Sequence, residues 1–203
     1  HTERDFQYVL DNSGARAVIV STAKLARMVM PAALRSGTQF MVVMEDMRTA
    51  QQSDVRVLDW APLVQNGERR IAEVSARNAT VRRNDLACLI YTSGTGGAPR
   101  GVRQHHGAIL HNIEGAGAIL AEDFGLGEEV FLSFLPLSHA YEHTGGQYLP
   151  LCVGAQIYYA EGLEKLVANI EEVRPTIMVV VPRLFEVIRA RMLKAVEKQG
   201  KLA

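Results

Sequence analysis

The chain has 203 residues, is 48% hydrophobic, and carries 22 basic against 22 acidic side chains for a formal charge of zero. That is enough apolar material for one or two packed domains, and it excludes a nucleic-acid surface built on net positive charge, an acidic tail and a disordered composition. The two cysteines, Cys88 and Cys152, are too few for a disulfide scaffold or a thiolate metal site, and both read as buried free thiols in a reducing, cytoplasmic setting.

Helical periods and apolar β-branched runs alternate along the chain. Asp5–Asn12 reads as a helix ended by Ser13-Gly14. Ala17–Val20 reads as a buried strand. Thr22–Arg35 reads as a helix in which Pro31 marks a kink or break and Gly37 a stop. Phe40–Met44 is the next strand. The alternation fades over 45–85, where polar turns are expected at Gln51–Ser53 and at Asn66-Gly67, with a short helix over Glu68–Arg77. Leu86–Tyr91 is a strand leading into a glycine-rich stretch, beyond which Val102–Gln104 is extended. His105–Glu122 keeps a helical pattern despite Gly107, Gly115 and Gly117. Val130–Leu135 is a strand stopped by Pro136, His139–Cys152 a buried helix, Ala155–Tyr159 a strand and Leu163–Val173 an amphipathic helix. Thr176–Val181 suits a buried strand, and Pro182 opens a helix running to Lys198. No apolar run approaches the ~18 residues of a membrane span. The pattern predicts an α/β fold with helices on both faces of mainly parallel sheets, divided into segments 1–80 and 81–203. The chain opens on His1 without a signal peptide and closes just after an amphipathic segment, and so reads as a piece of a longer protein.

The stretch Tyr91-Thr92-Ser93-Gly94-Thr95-Gly96-Gly97-Ala98-Pro99-Arg100-Gly101-Val102 carries the first chemical signal. Glycines let backbone amides converge on an anion; Thr92, Ser93 and Thr95 add hydroxyl donors; Arg100 adds a planar fork suited to phosphate oxygens. Together they suit a polyphosphate. The P-loop pattern fails, because Val102 and Arg103 stand where it needs Lys and Ser/Thr, and the dinucleotide pattern fails at Pro99. A plain glycine-rich turn between two strands is the competing reading. The stretch resembles the signature loop of the adenylate-forming enzymes, Tyr-Thr-Ser-Gly-Thr-Thr-Gly-x-Pro-Lys-Gly-Val. It departs from that form at Gly96, which loses a hydroxyl, and at Arg100, which keeps the charge and changes its reach.

The second signal is Leu135-Pro136-Leu137-Ser138-His139-Ala140-Tyr141-Glu142-His143-Thr144-Gly145-Gly146. Ser138 suits an N-cap, which would put His139 at a helix N-terminus, where anions are favoured. His139-x-x-Glu142-His143 also fits a zinc-peptidase pattern whose third ligand would be Glu161, Glu171 or Glu172. Against that, Leu-Pro-Leu-x-His-x-x-Glu resembles the motif that follows the phosphate loop in long-chain acyl-CoA synthetases. The segment Val181-Pro182-Arg183-Leu184-Phe185-Glu186 is similar to a third stretch of the same family.

This resemblance implies part of the large N-terminal domain of a fatty acid–CoA ligase, without the C-terminal domain. It implies ATP phosphates held by Thr92, Ser93, Gly94, Thr95, Gly96, Gly97 and Arg100, and a catalytic His139 beside the acyl-adenylate. It implies an acyl pocket of His139, Glu142, Gly145 and Gly146, the two glycines leaving room for the chain. Fatty acid, ATP and coenzyme A are the implied substrates, with Mg2+ as cofactor and peripheral contact at the inner membrane surface. The family's magnesium-holding Glu, ribose-binding Asp, adenine segment and C-terminal lysine are expected beyond Ala203, so this stretch alone should be inactive. A zinc metallopeptidase and a non-catalytic α/β module are the alternatives. His105, His106 and His111 read as a solvated helix start.

Overall fold

A computed structural model describes residues 2–45, 54–93, 99–186, 189–190 and 193. The chain divides into two compact units, His1–Gly107 and Ala108–Ala203, where the fading alternation put a change at 80/81.

In the first unit, helix α1 (Glu3–Ser13) is fixed at both ends. Thr2 and Asp5 form a reciprocal capping box, with the Thr2 amide donating to Asp5 Oδ2 at 2.6 Å. Gly14 closes the helix at φ 65°, a left-handed conformation that glycine adopts without a Cβ clash. Strand β1 (Ala17–Val20), helix α2 (Ala23–Arg35), strand β2 (Phe40–Val43) and strand β3 (Arg56–Asp59) follow. The three strands form one parallel sheet in the order β1-β2-β3. β3 lies inside the stretch where the sequence suggested no strand. β1 is less buried than its composition implied, Ile19 being 57% exposed.

Helix α2 runs through Pro31 to Arg35 rather than breaking there. It buries Ala26, Val29, Ala32 and Ala33 in a core with Leu10, Val20, Met41, Val43 and Val55. That burial on both sides of Pro31 outweighs the ~3 kcal/mol of an interior proline. Thr22 caps α2 by accepting from the Leu25 amide at 3.2 Å. Thr22→Ala should therefore lower stability by about 1 kcal/mol, read as a shift of the denaturant midpoint at constant slope.

Helices α3 (Trp60–Glu68) and α4 (Ile71–Asn78) have no buried residue, which explains why the hydrophobic pattern fades across them. The expected turn at Asn66-Gly67 lies within α3, and the expected helix over Glu68–Arg77 is broken: the Arg70 amide donates to Gly67 O at 2.8 Å and separates the two helices. The expected turn at Gln51–Ser53 lies outside the described residues. Strands β4 (Leu86–Thr92) and β5 (Arg100–His105) pair antiparallel. Cys88 is half-buried in β4, and Cys152 is exposed, contrary to the expectation of two buried thiols.

The second unit is organised around strand β6 (Val130–Ser133). β6 pairs in parallel with β7 (Gln156–Tyr159). Phe131 points to one face, with Ile113 of helix α5 (His106–Asp123) and Leu149 of helix α7 (Leu149–Val153). Leu132 points to the other face, with Leu166 of helix α8 (Leu166–Val173) and Leu184 of the helical stretch 182–186. β6 thus has helices on both faces, as strand-helix alternation predicts. The expected helix over 139–152 is α6 (Ala140–Glu142), a π-helical stretch (His143–Tyr148) and α7 in succession. It is only partly buried, Tyr141 and Leu151 each being 59% exposed.

Thr176–Val181 is not the strand its composition suggested. It meets β6 at a single parallel bridge, Phe131 to Ile177. The bonds cluster there, from the Thr176 and Ile177 amides to Val130 O and from the Leu132 amide to Ile177 O. Beyond Ile177 the segment contributes side chains, Met178 and Val180, to the Leu132 cluster instead of a ladder. Among the described residues no helix is long and apolar enough to cross a membrane.

Candidate functional site

The glycine-rich stretch springs from the open end of the β4–β5 hairpin. Thr92 and Arg100 are the last cross-strand pair before it, and both are exposed. The ladder therefore sets a hydroxyl and a guanidinium side by side at the mouth of the loop, with exposed Ser93 adjoining. Gly94, Thr95, Gly96 and Gly97 lie outside the described residues. The base of the hairpin is braced. Tyr91 pairs with Gly101, and a Cβ added to Gly101 would meet the Tyr91 ring at 3.0 Å, so a larger residue there would press the ring off the ladder. The Tyr91 hydroxyl donates to Asn12 Oδ1 in α1 at 2.7 Å. Asn12 was not singled out from the sequence, and its distance along the chain from Tyr91 leaves no local signal.

The second segment begins at the end of β6. Ser138 does not cap the following helix. The His139 amide closes a turn onto Pro136 O at 3.0 Å, which delays the helix by one residue. His139 is itself the cap residue, extended at φ −90° and ψ 133°, with no side-chain cap bond, and it is exposed. Its carbonyl accepts from the His143 amide at 2.9 Å. His143 then packs edge-on against Tyr148 across the π-helical stretch, with centroids 4.9 Å apart.

Glu142 lies at the junction, with none of its surface exposed. The Ser133 hydroxyl donates to its Oε1 at 2.5 Å, while Oε2 has no hydrogen-bond partner among the described residues. Burial pushes its carboxyl above the usual range, against the Ser133 hydroxyl and the Phe134 amide, which pull it back. Ser133 is a partner of Glu142 that the sequence did not reveal, since it pairs across a strand-to-helix turn. The zinc reading loses its base here: a carboxyl enclosed against β6 cannot activate a water at a surface metal. Among the described residues no group of three or more His, Cys, Asp or Glu side chains is placed to hold a metal ion.

The room beside both glycines is taken by the protein. A Cβ on Gly146 would stand 2.2 Å from Glu142 Oε1, and one on Gly145 would stand 3.1 Å from Val179 Cγ2. Their smallness admits a carboxyl and a valine, not the open space for an acyl chain that the sequence suggested.

The sequence model of the AMP-binding enzyme family matches residues 1–202. Peroxisomal long chain acyl-CoA synthetase 6 of Arabidopsis thaliana is 32% identical over 151 residues, covering 74% of this chain and 20% of its own length. The long-chain-fatty-acid–CoA ligase heimdall of Drosophila melanogaster is 35% identical over 129 residues, covering 62% and 19%. Long chain acyl-CoA synthetase 1 of Arabidopsis thaliana is 28% identical over 202 residues, covering 98% and 29%. The chain spans less than a third of the length of each of these relatives. Among solved structures, the A-PCP didomain of carboxylic acid reductase from Segniliparus rugosus, in complex with AMP, superposes with a TM-score of 0.72 at 19% identity, over 98% of this chain and 30% of that one. The anthranilate CoA ligase AuaEII, in complex with anthranoyl-AMP, gives a TM-score of 0.65 at 18% identity, over 88% and 33%. At these identities the likeness establishes the fold.

Proposed function

Because the chain belongs to the AMP-binding enzyme family, we propose that the protein is an AMP-forming, ATP-dependent fatty acid–CoA ligase. The observation that carries this reading is the glycine- and hydroxyl-rich stretch mounted on a braced hairpin, with Thr92 and Arg100 paired at its mouth. The long-chain acyl-CoA synthetases among its relatives support the choice of fatty acid.

In the first step a fatty carboxylate oxygen attacks the α-phosphorus of ATP. The bond to the bridging oxygen breaks and pyrophosphate leaves, giving acyl-AMP. In the second step the thiol of coenzyme A attacks the acyl carbon and AMP departs. Such transfers are catalysed by positioning and by neutralising charge. Thr92, Ser93, Gly94, Thr95, Gly96 and Gly97 cradle the β- and γ-phosphates by hydroxyl and amide donors, and Arg100 offsets their charge. His139, exposed at its helix start, borders the acyl-adenylate. Glu142, Gly145 and Gly146 shape the helix behind that boundary. Mg2+ neutralises phosphate charge in such reactions; the resemblance supplies its carboxylate ligand from outside these residues. We place the enzyme in the cytoplasm, taking its acid from the inner membrane surface, because long acyl chains partition into lipid.

The test is ATP–pyrophosphate exchange by the full-length protein. Exchange that depends on long-chain fatty acids is expected, and none is expected from the 203 residues alone. No exchange with any carboxylic acid would overturn acyl activation. Exchange with amino acids alone would overturn the choice of fatty acid.

A further inference from the structure

The proposed reaction gives Glu142 no chemical step, yet a wholly buried carboxyl is a costly group to keep. An apolar side chain of the same volume is usually as stable or more so at such a place. Three features meet at Glu142. Its carboxyl takes the Ser133 hydroxyl, and the Phe134 amide also bonds it, both from the end of β6. The helix turns π-helical from the next residue, His143, a geometry found mostly at functional sites. Gly146, one turn on, is bare where the carboxyl lies. One turn earlier stands His139, whose carbonyl is bonded by the residue after Glu142.

We propose that Glu142 is a positioning residue: through Ser133 it pins the first turn of this helix to the end of β6 and so fixes where the His139 imidazole stands. The inference rests on the reading of His139 as the residue bordering the acyl group. Both groups that bond the carboxyl are donors, so the task requires an acceptor of this length and not a charge. Glutamine supplies that acceptor; alanine does not, and leaves the Ser133 hydroxyl buried without its partner.

The experiment uses Glu142→Gln, Glu142→Ala and Ser133→Ala in the full-length protein, with two readouts. One is the rate at which diethyl pyrocarbonate modifies His139, followed by peptide mass spectrometry. The other is kcat and KM for fatty acid and for ATP in pyrophosphate exchange. Glu142→Gln should keep both readouts within about twofold of wild type. Glu142→Ala should change the His139 rate severalfold and lower kcat/KM for the acid by about 100-fold, the scale of a small misplacement, with KM for ATP unchanged. Ser133→Ala should do the same by about tenfold, the scale of one hydrogen bond. Normal behaviour of Glu142→Ala in both readouts would overturn the proposal. So would damage by glutamine equal to that by alanine, because charge would then be the operative property. Should Glu142→Ala not fold, Ser133→Ala takes its place: normal behaviour of Ser133→Ala in both readouts, or damage by Glu142→Gln as large as by Ser133→Ala, would overturn the proposal. A wild-type protein without exchange overturns the ligase reading instead, and the positioning of His139 is then decided by the labelling rates alone.

Discussion

Gly146→Ala should lower the stability of the chain by about 1–3 kcal/mol, a large fraction of the total for a domain of this size. The added Cβ would stand 2.2 Å from Glu142 Oε1 and 2.5 Å from the carboxyl carbon. A flexible side chain on a surface would swing aside at little cost. Glu142 has no exposed surface, so its carboxyl must either push into packed neighbours or leave Ser133. The first is overpacking, about 1–3 kcal/mol. The second strands buried polar groups, also at about 1–3 kcal/mol. The two sites should therefore be strongly coupled. In Glu142→Ala the obstacle is gone, so adding Gly146→Ala to it should cost far less than in the wild type, where alanine is otherwise the better helix former. Urea unfolding of the four members of the cycle checks this. Additive effects would mean that the carboxyl and the glycine do not share the space assigned to them.

Arg100→Ala in the full-length protein should slow fatty-acid-dependent pyrophosphate exchange by roughly 10- to 150-fold, the equivalent of losing about 1.5–3 kcal/mol of charge-assisted phosphate contact. Arg100 is exposed and begins β5, so the loss should come without a matching fall in stability. Thr92→Ala should act in the same direction and less strongly, a neutral donor being worth less than a charged one. Arg100→Lys separates charge from shape: lysine keeps the positive charge, stands at this place in the signature resembled, and should retain most of the rate. Equal loss with lysine and alanine would assign the guanidinium a bidentate role that an ammonium cannot fill. An unchanged rate in Arg100→Ala would remove Arg100 from the phosphate site.

Where a local physical signal exists, the fold was legible in the sequence. Ser13-Gly14 marks the end of the first helix, and α1 and α2 lie within a few residues of the helices read over Asp5–Asn12 and Thr22–Arg35. β2, β4, β6 and β7 are apolar or aromatic runs and were found. β3 was missed because its four residues begin with Arg56 and end with Asp59, which leaves only Val57 and Leu58 as signal. Thr176–Val181 misled for the opposite reason: its composition is that of a strand, but whether a backbone pairs depends on what lies beside it. Asn66-Gly67 reads as a turn in any local scheme, yet the helix breaks later, at Arg69-Arg70. At the candidate site, Thr92, Arg100 and His139 could be singled out as candidates from the sequence. The tie from Ser133 to Glu142, the brace from Asn12 to Tyr91, and the reason Gly146 must be glycine could not. Each depends on two residues that folding alone brings together.

The two units differ in how long their first strands wait for cover, and this has a consequence for synthesis. In the first unit β1, β2 and β3 lie side by side in the order they are made, so each strand can dock on its predecessor as the ribosome delivers it. In the second unit β6 emerges first and must wait. Its ladder partners, β7 and Ile177, come later, and the face of Leu132 is covered only when Leu166 and Leu184 arrive. Until then a nascent chain displays an apolar strand with an unpaired edge, the kind of surface that chaperones bind and that sticks to other chains. Slowing translation through 134–184 would lengthen that exposure, and a delay between β1 and β2 would do the same to β1 over a shorter stretch of chain.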